Sequence, residues 1–320
     1  MDALSDVLRA VRLTGAVFFD VRASEPWVAE TPAGRTIVGK IFPDAEHLIP
    51  YHVVTRGACW GWVPDEPPVH LSAGDVIVFP QGDAHIVSSA PGMRGTPDVS
   101  LYRHPADGQL PFTISMGTSG AEETQIVCGY LGCDARPFNP LLDALPRVLR
   151  VSDRAGGALA AFVEFAVAES KSPQIGGETV LGRLSELMFV DVVRRYVGTL
   201  PADRTGWLAG LRDPFVGRAL TALHRSPASD WTLESLAHEV GISRSVLAER
   251  FTQLVGQPAM QYLTNWRMQL AANLLLGGTD NIAAVAERVG CESEAAFSRA
   301  FKKIVGVPPS QWRKQRVTKP

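Results

Sequence analysis

Two histidines and a few cysteines are the residues in the first half of the chain best suited to chemistry. GDVIVFPQGDAH, residues 74–85, reads as a strand and a turn that present His85, and His52 opens HVVTRGACWGW. Imidazoles bind metals and exchange protons. With a thiolate from Cys59 or Cys128 they would suit zinc, although two imidazoles fall short of the three or four protein ligands of a stable site. The alternative is that both rings point into a core and are satisfied by backbone groups. Cys128, in QIVCGYLGCD, is a candidate redox sensor if its thiol is acidic and exposed. Cys133 lies five residues on, which puts the two thiols on opposite faces of a continuous strand. Otherwise Cys128 is a small apolar side chain, the simpler account of Cys291 as well. Trp60 and Trp62, alternating on one strand, together with Trp27 elsewhere, either line an aromatic ligand pocket or fill a core.

A second chemistry belongs to the last third. The chain of 320 residues has a formal net charge of −2, yet residues 214–320 hold 13 Lys+Arg against 8 Asp+Glu and the rest hold 18 against 25. A basic module behind an acidic body suits binding to a polyanion. TLESLAHEVGISRSVLAERFTQLVGQPAMQYL (232–263) also repeats as NIAAVAERVGCESEAAFSRAFKKIVGVPPSQWR (281–313). Ala237 matches Ala286, Gly241 matches Gly290, Phe251 matches Phe301, Gly256 matches Gly306, Pro258 matches Pro308 and Tyr262 matches Trp312. The offset grows from 49 to 50 at the turn, so the second copy carries one extra turn residue.

Each copy predicts a helix-turn-helix, with a small Ala at the helix contact and a Gly ending the first helix. Leu247, Phe251 and Leu254, and likewise Phe297, Phe301 and Ile304, recur at i, i+4, i+7 and should face the core. That leaves Ser245, Ala248, Glu249 and Thr252 in the first copy, and Glu294, Ala295, Ser298, Arg299 and Lys302 in the second, free to meet a double-stranded DNA groove or its phosphates. An ordinary solvated helix face is the bland reading of one copy, and it fits two copies followed by RKQRVTK poorly. Ala259 to Leu276 reads as one helix of about 26 Å at about 1.5 Å per residue, a strut able to hold two recognition helices near the ~34 Å of one DNA turn.

The elements ahead of this module are of two kinds. Gly15 to Cys133 reads as short strands rich in Val, Ile, Phe and Trp, punctuated by Gly, Pro and Asp, which favours a barrel or sandwich. A loop-like composition runs from Arg94 to Gly120. From Gly156 to Gly198 apolar residues fall at helical spacing, among them Leu181, Leu184, Leu187, Met188, Val192 and Tyr196, and form either an internal cap or a dimer seam. Residues 201–214 read as a linker. With 46% hydrophobic and 20% charged residues, no apolar run near 18 residues and no signal-like start, the sequence suits a cytoplasmic protein rather than a membrane or secreted one.

Residues 214–312 resemble the DNA-binding domain of the AraC/XylS family of bacterial transcription regulators, carried above all by the pattern from Gly290 to Pro309. By motif position, the resemblance implies DNA contacts at Arg244, Ser245, Ala248 and Glu249 in the first unit and at Glu294, Ala295, Ser298 and Arg299 in the second. The first unit departs in placing Pro258 two residues after Gly256, where the family has the proline at the third. Gly74, Pro80, Gly82 and His85 resemble the second cupin motif. The first motif is degraded, since Val54 stands where a second His belongs and no Glu follows. The whole is similar to regulators of this family with a cupin-type sensor, which implies an α+β multidomain fold: a cupin-like β-barrel over 1–150, a helical linker and dimerisation region over 151–213, and an all-α tandem helix-turn-helix domain over 214–320.

The resemblance implies a nucleoid-associated homodimer that binds promoter DNA, meets RNA polymerase and activates transcription when its cupin domain senses a small molecule, a metal ion or an oxidant. No cofactor is assigned with certainty, and a metal ion in the cupin barrel, at His52 and His85, is a candidate. Two alternatives stay open: a metal-dependent cupin enzyme with a DNA-targeting domain, and a constitutive DNA-binding dimer whose barrel senses nothing. Paired carboxylates, a nucleophile elbow and a phosphate loop are not evident in the sequence.

Overall fold

The structure is a computed structural model that describes residues 2–102, 111–118, 123–152, 158–172, 174–201 and 203–317. It comprises two compact units that do not follow chain order. One is Leu13–Asp134 with Leu145–Thr199, and the other is Met1–Arg12, Ala135–Ala144 and Leu200–Pro320. The expected boundaries at 150 and 213 are sequential, whereas these units interleave. The first helix and a short central segment belong with the C-terminal helices, and the two middle helices belong with the strands.

Among the described residues ten strands build the first unit: β1 (Thr14–Ser24), β2 (Val28–Thr31), β3 (His47–Arg56), β4 (Ala58–Trp62), β5 (Val69–Ser72), β6 (Asp75–Val78), β7 (His85–Ser88), β8 (Phe112–Gly117), β9 (Thr124–Cys133) and β10 (Leu149–Ser152). They form a six-stranded sheet of order β10-β6-β3-β9-β1-β8 and a four-stranded sheet of order β2-β7-β4-β5. The sheets share one core, in which Phe19, Val21, Val54, Ile77 and Tyr130 of the larger meet Cys59, Leu71 and Val87 of the smaller. This is the cupin-like, sheet-rich region expected, but the barrel is not closed. Among the described residues no strand ladder joins the sheets, and the chain turns from β3 into β4 through Gly57 without carrying the pairing round the corner.

The outer face of the larger sheet is covered by α4 (Ala158–Lys171) and α5 (Gly177–Thr199), while α2 (Gly34–Ile41) packs on β3. Tyr51 faces these helices, its ring edge-on to Phe162 and its hydroxyl 2.6 Å from Ser185 Oγ. Leu181, Met188, Val192 and Val193 of α5 are buried, whereas Val180 and Leu187 are exposed. Helical periodicity placed Leu187 with the apolar face, and the structure leaves it outside.

Among the described residues the second unit is made of helices: α1 (Ala3–Ala10), α3 (Pro140–Ala144), α6 (Trp207–Arg212), α7 (Val216–Arg225), α8 (Leu233–Val240), α9 (Arg244–Val255), α10 (Ala259–Gly277), α11 (Ile282–Arg288), α12 (Glu294–Val305) and α13 (Pro309–Val317). Thr232 and Asn281 cap the first helix of each repeat through their side-chain oxygens. Gly241 and Gly290 follow those helices with φ of 76° and 75°, a left-handed turn that costs other residues more. α10 runs for 19 residues as a single helix shared by both repeats. Its Tyr262 hydroxyl accepts from Trp207 Nε1 at 2.8 Å and lies 2.7 Å from His224 Nε2 in the first core. Its Met268, Ala272 and Leu275 enter the second core with Phe297, Phe301 and Trp312.

The same helix holds the two segments that arrive from elsewhere in the chain. Gln269, 1% exposed, accepts the Phe138 N–H at 3.0 Å and donates to the Ala10 carbonyl at 3.2 Å; Asn273 donates to that carbonyl at 2.7 Å. Replacing Gln269 with Leu keeps the volume and strands the buried Phe138 N–H. The variant is expected to lose about 1–3 kcal/mol, measured as a lower urea midpoint of the full chain together with faster exchange of the Phe138 amide.

Candidate nucleic-acid interface and sensory interior

Ser243 and Ser293 start the two recognition helices, accepting from the Val246 and Ala296 N–H groups. Leu247, Phe251, Phe297 and Phe301 are buried and Leu254 and Ile304 half-buried, so each second helix packs by the predicted face. The opposite faces carry the predicted contact residues. Arg244, Ser245, Glu249, Glu294, Ala295, Arg299 and Lys302 are exposed, and Ala248 and Ser298 are half-buried. Among the described residues Arg244, Arg299 and Lys302 have no carboxylate partner, which leaves their charge available to phosphates or base edges. Of the basic tail RKQRVTK, residues 313–319, the last two lie outside the described residues.

One arginine of α9 is committed elsewhere. Arg250 donates to Asp213 Oδ2 at 2.7 Å, and Asp213 also caps α7 by accepting from the Phe215 and Val216 N–H groups. The Arg250 guanidinium and these backbone donors hold the Asp213 carboxyl below its ordinary range against the opposing effect of burial. Arg250 therefore positions α9 instead of facing a ligand. Sequence reasoning missed this pair and the serine caps. The caps had a signal, a serine immediately before each helix; the long-range pair had none.

Inside the first unit the two histidines meet. His52 on β3 and His85 on β7 place their Nε2 atoms 2.8 Å apart, and His85 stacks on Phe79 at 3.9 Å. His85 Nδ1 lies 3.0 Å from the Asp83 carbonyl. Because a carbonyl only accepts, His85 carries its proton on Nδ1, its Nε2 accepts, and His52 Nε2 donates. That assignment leaves His52 Nδ1 as a bare lone pair, buried and without a partner. Burial holds His85 down to about 4 and His52 well below the ordinary imidazole value.

A metal does not fit this arrangement. The two Nε2 atoms are bonded to each other, and among the described residues no three His, Cys, Asp or Glu side chains converge. Cys59 and Cys128 lie in the same core, where burial pushes the Cys59 thiol up to about 12 and Cys128 higher still. Cys128 thus lacks the low pKa and exposure of a reactive thiol. Cys133, also buried, is on the opposite face of β9, as its spacing required.

The tryptophans are a correction. β4 alternates without a break, Cys59 and Gly61 facing the interior. Trp60 and Trp62 therefore occupy its other face, where Trp60 packs edge-on to exposed His70. They do not line the interior. The indole that does is Trp27, whose Nε1 is buried without a partner.

Residues 2–198 match the family described as cupin, and residues 236–315 match a helix-turn-helix domain family. A protein of Streptomyces antibioticus described as an AraC-like transcription regulator is 33% identical over 98% of this chain and 99% of its own length. One from Streptomyces lividans with the same description is 31% identical over 98% of each chain. The transcriptional regulator AlkR of Acinetobacter baylyi is 28% identical over 98% of this chain and all of its own. Among the described residues no helix is long and apolar enough to cross a membrane.

The histidine pair has a pH signature. An unfolded chain protonates these rings below about 6.5, whereas the folded protein excludes the proton from His85 until about 4, so stability falls as pH drops through that window. The urea midpoint is expected to decrease from pH 7.5 to 4.5, and a His52→Gln/His85→Gln double variant should show a shallower decrease.

Proposed function

The chain belongs to the AraC-like transcription regulators and binds double-stranded DNA through its helix-turn-helix domain, and from this premise we propose that α9 and α12 read two consecutive stretches of a promoter's major groove. The observation that carries the proposal is the pair of serine-capped helices, α9 buried by Leu247 and Phe251 and α12 by Phe297 and Phe301, each exposed along its polar face. Arg299 is the long donor suited to a guanine, Glu249 and Glu294 accept as from cytosine N4, and Ala248 and Ala295 offer only apolar contact. Sequence discrimination then leans on the second unit, with Lys302 and Arg244 neutralising phosphates.

The sheet unit is the sensory part in this reading. Two unmatched polar atoms in one core, the acceptor His52 Nδ1 and the donor Trp27 Nε1, support a small polar organic effector over a metal or an oxidant. β1 and β9 are neighbours, with Thr14 opposite Gly132. Their chain continuations end at Ala10 and Phe138 on α10. An effector that favours one arrangement of these strands would shift the population of DNA-competent molecules. The exposed Val180 and Leu187 of α5 and Phe165 of α4 suit a homodimer contact. The likeness to AraC-like transcription regulators supports contact with RNA polymerase and activation as part of this reading. Regulator rather than enzyme is the reading these side chains favour, since among the described residues no third His, Cys, Asp or Glu joins the two histidines.

Replacing Arg299 with Ala is expected to weaken operator binding and, where Arg299 meets guanine, to lower discrimination at that base pair by about 1–3 kcal/mol. Gel-shift titrations against single-base operator variants check this. Unchanged affinity and base preference would remove Arg299 from the contact set.

A further inference from the structure

Between α7 and α8 the chain makes a short loop, and this loop touches both halves of the DNA-binding domain. Arg267, half-buried on α10, donates from Nε to the Pro227 carbonyl at 2.7 Å and from Nη2 to the Ser229 carbonyl at 2.8 Å. Ala228, between those acceptors, lies against Gly290, the turn glycine of the second repeat. A Cβ added at Gly290 would stand 2.6 Å from Ala228 Cα and closer still to its carbonyl oxygen, so the contact is backbone on backbone. The loop is stiff, since Trp231 Nε1 donates to the Ser226 carbonyl at 2.9 Å and the Ser229 N–H to the same carbonyl at 3.2 Å. The entrance to the first helix-turn-helix is therefore pinned to the shared helix and pressed against the turn of the second.

We propose that Arg267 and Gly290 are positioning residues that fix the separation and angular phase of the two DNA-reading helices, and so make the protein selective for the spacing between the two halves of its operator. The inference rests on the two-unit reading above. A helix that carries two packed units sets their order along its axis, but bending and winding of that helix leave their relative phase soft. A direct contact between the units removes that freedom, and a guanidinium that spans two carbonyls is the rigid means of making it. An operator with one base pair too many or too few can engage both recognition helices only if this contact opens. The penalty for wrong spacing is then limited by the strength of the lock, and weakening the lock lowers discrimination between spacings while each half-site is still read.

The test uses the full chain and a random-sequence duplex pool. The wild type is expected to select two sequence boxes at one separation, and to bind that separation in preference to duplexes with one base pair added or removed. Arg267→Ala is expected to select the same two boxes at more than one separation, with spacing preference reduced roughly tenfold and affinity for a single-box duplex unchanged. Arg267→Lys, which keeps the charge but cannot span both carbonyls, should behave the same way. Gly290→Ala, which pushes the second repeat off Ala228, gives an independent route if Arg267→Ala fails to fold by circular dichroism. Wild-type spacing preference in folded Arg267→Ala or Gly290→Ala would overturn the lock. A wild type that selects one box alone would instead overturn the two-unit reading on which it rests.

Discussion

A carboxamide withdrawn from water must find partners for both its oxygen and its nitrogen, and Gln269 satisfies that requirement with two pieces of chain that the sequence keeps far apart. The second unit depends on this interaction, because it gathers the first helix and the 135–144 segment onto α10. Around the same helix Tyr262 and Trp266 build one core, Met268 and Leu275 build the other, and Arg267 reaches the loop ahead of α8. A single 19-residue helix thus has three neighbours to satisfy. Apolar residues alone would settle its faces but not its register against each neighbour; the amide and the guanidinium, with their directional bonds, settle the register.

The two kinds of polar chemistry in the protein are separated by burial. In the sheet unit histidines, thiols and an indole are withdrawn from water, and desolvation keeps them uncharged at neutral pH. On α9 and α12 charged groups stay in solvent, where a phosphate can displace water at little cost. Arg250 marks the border, a basic group on a recognition helix that is tied to Asp213 and so contributes to the posture of the helix instead of its contacts.

How far the chain could be read from its residues varied with the range of the interaction concerned. The helix-turn-helix repeat was legible because its determinants are local: i, i+4, i+7 periodicity, a small residue at the helix contact and a glycine at the turn. The aim of His52 and His85 into one interior was legible from the likeness of Gly74, Pro80, Gly82 and His85 to a cupin motif and of the stretch from His52 to a degraded one. Trp60 and Trp62 were not, because β4 is apolar on both sides and alternation alone does not say which face is the core. Leu187 shows the same ambiguity on α5, where apolar residues extend beyond the buried stripe. The interleaving of the units, the Gln269 bridge and the Arg267 grip leave no local pattern at all, since each joins residues tens to hundreds of positions apart.

That separation has a bearing on how the protein is made. Ala10 leaves the ribosome some 259 residues before Gln269, the group that receives its carbonyl. At about 5–20 residues per second the interval is roughly 13–52 s. For that time α1 exists with its apolar face, Ala3, Val7 and Ala10, uncovered by the helices that finally bury it. The strands can pair as they appear, but the second unit can close only after α10 has followed them. The DNA-reading helices take up their places after the sheets, and α1, made before either, waits on the helix that completes its cover.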